Sequence, residues 1–382
     1  MKIRSVISLG FLSLFLIFPT TPLFAGEEVT DNTEQVDLAP GAYPDESRGV
    51  EARVVQIETV SEAGHPSKQY TFTAEDSDGN RLTVDTRESF PEGVWYRLKE
   101  GDTVLLQLFP GENGHAYLTD VRRTGSLAWM LVVFAVVTIA IGLRRGVQAI
   151  LGLTVTVGMI GWFVLPRILA GSNPIIICSI AAAVILAVTM HIAHGFNRRT
   201  FTAFVSSLLG LVTVYASAQL FVWFARLSGL GSEEELLLFL HSGTITIPSG
   251  ILLGTIILGA AGALDDIAVT QTETVAELRS ANPSLTPRDL FTRAMRVGRH
   301  HIASIVNTLV LAYTSVALPM LLLFLMTPET TIWQLINQEG VAAEIVRTIA
   351  GTLGLLLTVP IATVLAAYAG VSGSDTHIHH HT

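Results

Sequence analysis

Two adjacent carboxylates, Asp265 and Asp266, stand near one end of an apolar stretch, residues 249–270, that reads SGILLGTIILGAAGALDDIAVT. An ionisable side chain in a hydrocarbon layer is costly unless it faces a cavity or a partner, so such groups mark paths for ions, protons or polar solutes. Consecutive helical positions point about 100° apart, so the two acids cannot share one narrow site equally. Asp265 is the one expected to face neighbouring helices and accept a proton or cation, with Asp266 second.

Other residues are placed to serve this pair. Gly250, Gly254, Gly259 and Gly262 give the same stretch a small-residue surface on which another helix can approach closely. In a later apolar run, Asn307 and Thr308 open a polar seam that continues through Tyr313, Thr314 and Ser315. Their depth near the inner end makes Asn307 and Thr308 the expected neighbours of Asp265, orienting what it binds. His191 and His194, at i and i+3, are candidates to share a metal with a nearby carboxylate. No cofactor is expected.

These residues need a membrane scaffold, and the composition supplies one. Half of the 382 residues are hydrophobic, and only 14% are charged. Seven apolar segments approach the ~20 residues that a bilayer crossing requires: approximately residues 127–143, 147–165, 174–193, 201–225, 249–270, 302–326 and 348–368. The fold class expected is therefore an all-α polytopic bundle of about seven transmembrane helices over 124–370, preceded by a small all-β domain.

That β-domain, residues 48–123, follows an N-terminal segment with the charge, core and small-residue order of a secretory signal, residues 1–25, and an acidic spacer, 26–47. Five short β-rich stretches, EARVVQIETV, KQYTFTAED, NRLTVDT, DTVLLQLF and HAYLTDV, are separated by turn residues and favour an OB-like sheet or small barrel. Residues 27–123 hold 20 acidic against 9 basic side chains, and residues after 124 hold 12 of each. The acidity thus belongs to the β-domain, and the charge gives no footprint for nucleic acid.

With the β-domain exported, the positive-inside rule places nine arginines on the cytoplasmic side and three outside. The C-terminal tail, 371–382, is His-rich and cytoplasmic in this topology. So is the loop at 271–300, where Thr286, Pro287 and Asp289 signal a helix start. Arg288, Arg293, Arg296 and Arg299 surround its apolar positions. It is expected to be an amphipathic elbow on the membrane surface, with Arg288, Arg293 and Arg296 open to anionic lipid or a cytoplasmic partner.

Enzyme signatures are poor. Gly262-Ala263-Leu264-Asp265 is half of an intramembrane aspartyl protease pattern, but no other expected span contains an aspartate, and that chemistry needs two. There is no P-loop, nucleotide fingerprint or HExxH. The lone Cys178 can build neither an internal disulfide nor a cysteine zinc site.

The segments LLGTIILGAAGALDDIAVTQTETVAELR, PRDLFTRAMRVGRHHIASIVNTLVLAYTSVALPMLLL and EIVRTIAGTLGLLLTVPIATVLAAY resemble the YibE/F-like family of bacterial multipass membrane proteins. The resemblance implies a bacterial cytoplasmic membrane and little chemistry, and it transfers no catalytic residue. The functional expectation is a transporter or permease-like protein moving a small solute or cation. Its alternatives are a non-transporting membrane scaffold and a permease subunit served by a separate ATPase.

Overall fold

The computed structural model describes residues 48–60, 69–89, 98–108, 116–243, 248–326 and 331–370. The expected signal peptide, spacer and His-rich tail lie outside them. The chain divides into two compact units, Met1–Val137 and Thr138–Thr382.

In the first unit, β1 (Arg48–Val60), β2 (Gln69–Asp76), β3 (Arg81–Asp85), β4 (Thr103–Leu108) and β5 (Tyr117–Val121) form one antiparallel sheet in the order β3-β2-β1-β4-β5. Alternation with period two sends Ala52, Val54, Phe72, Ala74, Leu82, Val84, Val104, Leu106 and Leu118 into one core. The sheet curls as a half-barrel whose outer strands approach each other, with Ala116 N donating to Thr83 O at 3.3 Å. A single turn, α1 (Thr86–Ser89), follows β3, and its Ser89 hydroxyl accepts from Leu118 N at 2.9 Å. The β2–β3 turn is built by Asp76, which accepts from Asn80 Nδ2, Asn80 N and Asp78 N at 2.9, 2.8 and 2.9 Å. These donors, the Asn80 side chain foremost, hold the Asp76 carboxyl below the usual range.

Among the described residues, six helices are long and apolar enough to cross a membrane: α2 (Thr124–Leu169), α3 (Pro174–His194), α4 (Arg198–Phe224), α6 (Pro248–Ala281), α7 (Pro287–Leu325) and α9 (Glu339–Tyr368). The short α5 (Glu233–Ser242) and α8 (Ile332–Asn337) lie between them. The expected segments 127–143 and 147–165 both fall in the 46-residue α2, on either side of Leu143. There the helix breaks, with φ 49° and ψ −124°. A methyl group at Gly146 would come within 2.8 Å of Ile139 Cα, so the chain turns too tightly at this point for a larger residue.

Within the second unit, α4, α6 and α9 form the centre. Val214, Ile256, Ile257, Leu264 and Leu355 are almost fully buried there. Glycine makes the close approach achievable: a Cβ at Gly354 of α9 would lie 2.7 Å from Val214 Cα and 2.9 Å from Val214 N of α4. A Cβ at Gly210 of α4 would meet Leu264 at 2.6 Å. Hydroxyls in this core answer largely to their own helices, as Ser206 donates to Thr202 O at 2.7 Å and Thr363 to Val359 O at 2.7 Å. Glu339 ties the start of α9 to the connection between α4 and α5, accepting from Ser228 N at 2.6 Å and Gly229 N at 2.8 Å.

Two boundaries differ from those expected. The region 271–300 is not a separate surface elbow: α6 continues to Ala281, and α7 runs as one helix from Pro287 into the apolar segment. The start signal is correct, since Thr286 and Asp289 form a capping box, but nothing between Arg299 and Ile302 can end a helix. Helix α9 begins nine residues before the expected apolar segment, which puts Glu344 and Arg347 inside it.

Candidate functional site

Asp265 lies half-buried on α6, and Asp266, one position on, is exposed, as their angular separation requires. One oxygen of Asp265 faces the Thr189 hydroxyl of α3 at 3.4 Å. That hydroxyl has a shorter contact of 2.8 Å to Ile185 O, its own helix's carbonyl, so its proton is directed mainly there. An ionised carboxylate offers about four acceptor positions. Asp265 therefore keeps most of its acceptor capacity. His194, at the end of α3, is near enough to interact with it electrostatically.

The residues expected to assist are distributed differently. Asn307 and Thr308 are exposed on α7, where Thr308 donates to Ser304 O at 2.9 Å. Met295, Ile302, Ile305 and Leu309 are the α7 positions that pack on the central core. Asn307 is about 200° around the helix from both Ile305 and Leu309, so it points away from that contact. His191 is engaged elsewhere, with Nδ1 bonded to Ala187 O at 2.7 Å and its ring 4.7 Å from Phe196. Because a carbonyl only accepts, Nδ1 carries the proton. His191 instead lines a cavity of about 490 Å³ with Phe196, Arg198 and Phe201. Among the described residues no group of three or more His, Cys, Asp or Glu is arranged to hold a metal.

Of the four glycines, Gly254 is pressed against Cys178 of α3, whose sulfur would lie 2.8 Å from an added Cβ. Gly250 is buried. Gly259 faces the Tyr313 hydroxyl, which would be 3.4 Å from a Cβ, and Gly262 faces open space.

A second ionisable cluster lies on the other side of Gly259. Arg347 Nε pairs with Glu344 at 3.2 Å, and its Nη1 donates to Thr255 of α6 at 3.0 Å. Tyr313 and Glu344 share a cavity of about 300 Å³ between α7 and α9, walled mostly by apolar side chains such as Met320, Leu321 and Ile345. The Glu–Arg spacing of i, i+3 is a helical pair signal. Its weight is lost if the helix is taken to begin at residue 348. Thr255 and Asp265 are ten residues apart on α6, or about 15 Å along its axis. Thr255, Gly259, Gly262 and Asp266 all fall on one exposed stripe of that helix.

The family described as YibE/F-like protein matches residues 130–370, well over half of the chain. The chain belongs to the YibE/F-like family. For a YibE/F-like protein with several helices of this length and apolarity, a membrane is the environment that fits. The match covers Asp265, the Arg347–Glu344 pair and all the helices from α3 to α9, but begins after the β-sheet. No curated protein and no solved structure matches the chain.

Proposed function

We propose that this YibE/F-like protein is a transporter or permease-like protein that moves a small solute or cation across the bacterial cytoplasmic membrane, with Asp265 as the group that takes the cation or proton. The observation that carries this is the coordination of Asp265. It is a half-buried carboxylate on a largely apolar helix, held by one long contact to Thr189, with no ion pair among the described residues. A structural carboxylate at such a depth is normally saturated by partners. The orienting role first expected of Asn307 and Thr308 falls to Thr189 and His194. The exposed stripe of α6 links the Arg347–Glu344 pair to Asp266, about 100° around the helix from Asp265.

The break at Leu143, followed by exposed Arg144 and Arg145, supports counting α2 as two passes and the bundle as seven. With seven passes the β-domain is extracytoplasmic, and the C-terminus is cytoplasmic, as the arginine distribution favours.

The test is flux into vesicles reconstituted with the full chain, using a panel of monovalent and divalent cations and an internal pH dye. Asp265→Asn should reduce flux at least about tenfold, the scale of losing one charge-assisted contact, while Asp266→Asn retains most of it. Equal flux in wild type and Asp265→Asn would remove the transport site.

A further inference from the structure

Helices α6 and α7 outreach a membrane. Helix α6 has 34 residues and α7 has 39 residues. With a rise of about 1.5 Å per residue, α6 measures about 51 Å and α7 about 58 Å, against a hydrocarbon layer of about 30 Å. The excess gathers at their shared end, where residues 282–286 join them. Here the two helices form a stalk that shares a core with the end of α9: Val275, Leu290, Ala294, Ala366 and Ala367 are fully buried together, with Leu278 and Leu285 against them. Two polar contacts brace it, one at each end. Gln271 Nε2 donates to Ala294 O at 3.1 Å, and Arg279 Nη2 donates to Ala367 O, near the end of α9, at 2.6 Å.

The outer face of this stalk is basic. Taking Arg288 as zero and about 100° per residue, Arg299, Arg296 and Arg293 fall at about 20°, 80° and 140°. Leu290, Ala294 and Gly298, which are buried, fall at about 200°, 240° and 280°. All four arginines are therefore exposed on one face, opposite the packed one. None forms an ion pair among the described residues. Two arginines elsewhere in this unit are paired, Arg199 with Glu273 at 2.9 Å and Arg347 with Glu344. The adjacent acid Asp289 accepts from Thr286 N and Oγ1 at the helix start.

We infer that this face is a docking surface for an acidic segment of a partner protein. Charge complementarity defines the partner, and the direction of the helix separates it from lipid. Arg288 and Arg299 are about 16 Å apart along an axis that continues into the membrane-crossing part of α7. A headgroup layer is about 5–8 Å thick on each side. At a typical tilt of about 20°, lipid can reach the Arg299 end but not the whole face. An acidic protein segment running along the stalk meets all four guanidinium groups, each able to grip a carboxylate with two parallel hydrogen bonds. The inference does not depend on the transport reading, because it uses no residue of that site and its test measures no flux.

The full chain in nanodiscs of zwitterionic phosphatidylcholine is titrated with a fluorescein-labelled helical peptide bearing glutamates at i, i+4 spacing, and anisotropy is read. The peptide should bind, and binding should fall at least about tenfold between low and high salt. Reversing the far pair, Arg288→Glu with Arg293→Glu, should weaken binding as much as reversing the near pair, Arg296→Glu with Arg299→Glu. A peptide with lysines at the positions facing the reversed pair and glutamates at the rest should recover binding to that variant. Since these side chains are exposed, both variants should keep the wild-type unfolding midpoint, which separates lost docking from lost folding. Absence of peptide binding at low salt would overturn the inference. So would binding only to anionic phosphatidylglycerol vesicles, with an effect that declines from Arg299 to Arg288.

Discussion

Helices α6 and α7 are both apolar enough to span a bilayer, yet 56% of the apolar window of α6 is buried inside the molecule and only 6% of that of α7. Small side chains interleaved with large ones account for part of the difference. Helix α6 presents Gly250, Gly254, Ala260, Ala261 and Ala268 to its neighbours, whereas α7 carries Val310, Leu311, Val316 and Leu323 outward, from 41% to 77% exposed. Lipid is as apolar as leucine, so a large side chain gains little by leaving it, while a small one lets backbones make close contact. Glycine and alanine thus let α6 come close enough for its leucines and isoleucines to be buried. The helix at the centre is also the helix with the acids.

The strongest way to break this contrast is to add a methyl group where packing is tightest. Gly354→Ala should destabilise by about 3 kcal/mol or more, at the upper end of overpacking costs, because the new carbon meets the backbone of Val214. Gly262→Ala, which meets nothing within 4 Å, should be neutral or stabilise by up to about 1 kcal/mol through helix propensity. Thermal unfolding in detergent reads both, and comparable midpoints would refute the packing account.

Next in size is Arg347→Met, which leaves Glu344 without its ion pair and Thr255 without its donor. The side chains are 21% and 26% exposed, so the cost should be about 1–3 kcal/mol. The double change Arg347→Met with Glu344→Gln should recover part of that loss, and a double-mutant cycle measures the coupling.

Smaller still, Leu143→Gly should stabilise the protein by about 1 kcal/mol, because glycine adopts a positive φ without the penalty that leucine meets there. A lowered midpoint would mean that the leucine side chain makes a contact worth more than the strain.

The β-domain offers the mildest test, remote from helix packing. The Asp76 carboxyl is depressed in the folded state, so its stabilising effect is complete at neutral pH and is lost as pH falls below the unfolded value of about 3.9 and through the folded one. Asp76→Asn should flatten this acid-side loss in urea unfolding followed by proteolysis of the β2–β3 turn. An unchanged acid limb would show that Asp76 is not its source.

Much of the β-domain is legible in the sequence because alternation is local. DTVLLQLF predicts β4 at Thr103–Leu108. The divergence of Asp265 from Asp266 follows from helix geometry alone. What escapes such a reading is long-range. Thr189 is 76 residues from Asp265, and nothing in the local pattern around either names the other. Asn307 and Thr308 share the depth expected of partners for the acid, but depth does not fix rotation about a helix axis, and Asn307 is turned away. The elbow at 271–300 is an expectation from charge, which marks where a helix leaves the membrane and not whether it bends there.

Cation-protected carbodiimide labelling of the full chain in its membrane tests the role of Asp265 most directly, since the reagent enters apolar surroundings and couples to carboxyl groups that hold a proton. Mass spectrometry of the α6 peptide should find the adduct on Asp265 in preference to the exposed Asp266, and a transported cation should suppress it. An adduct pattern that favours Asp266, or labelling of Asp265 indifferent to every cation and to pH, would contradict the account.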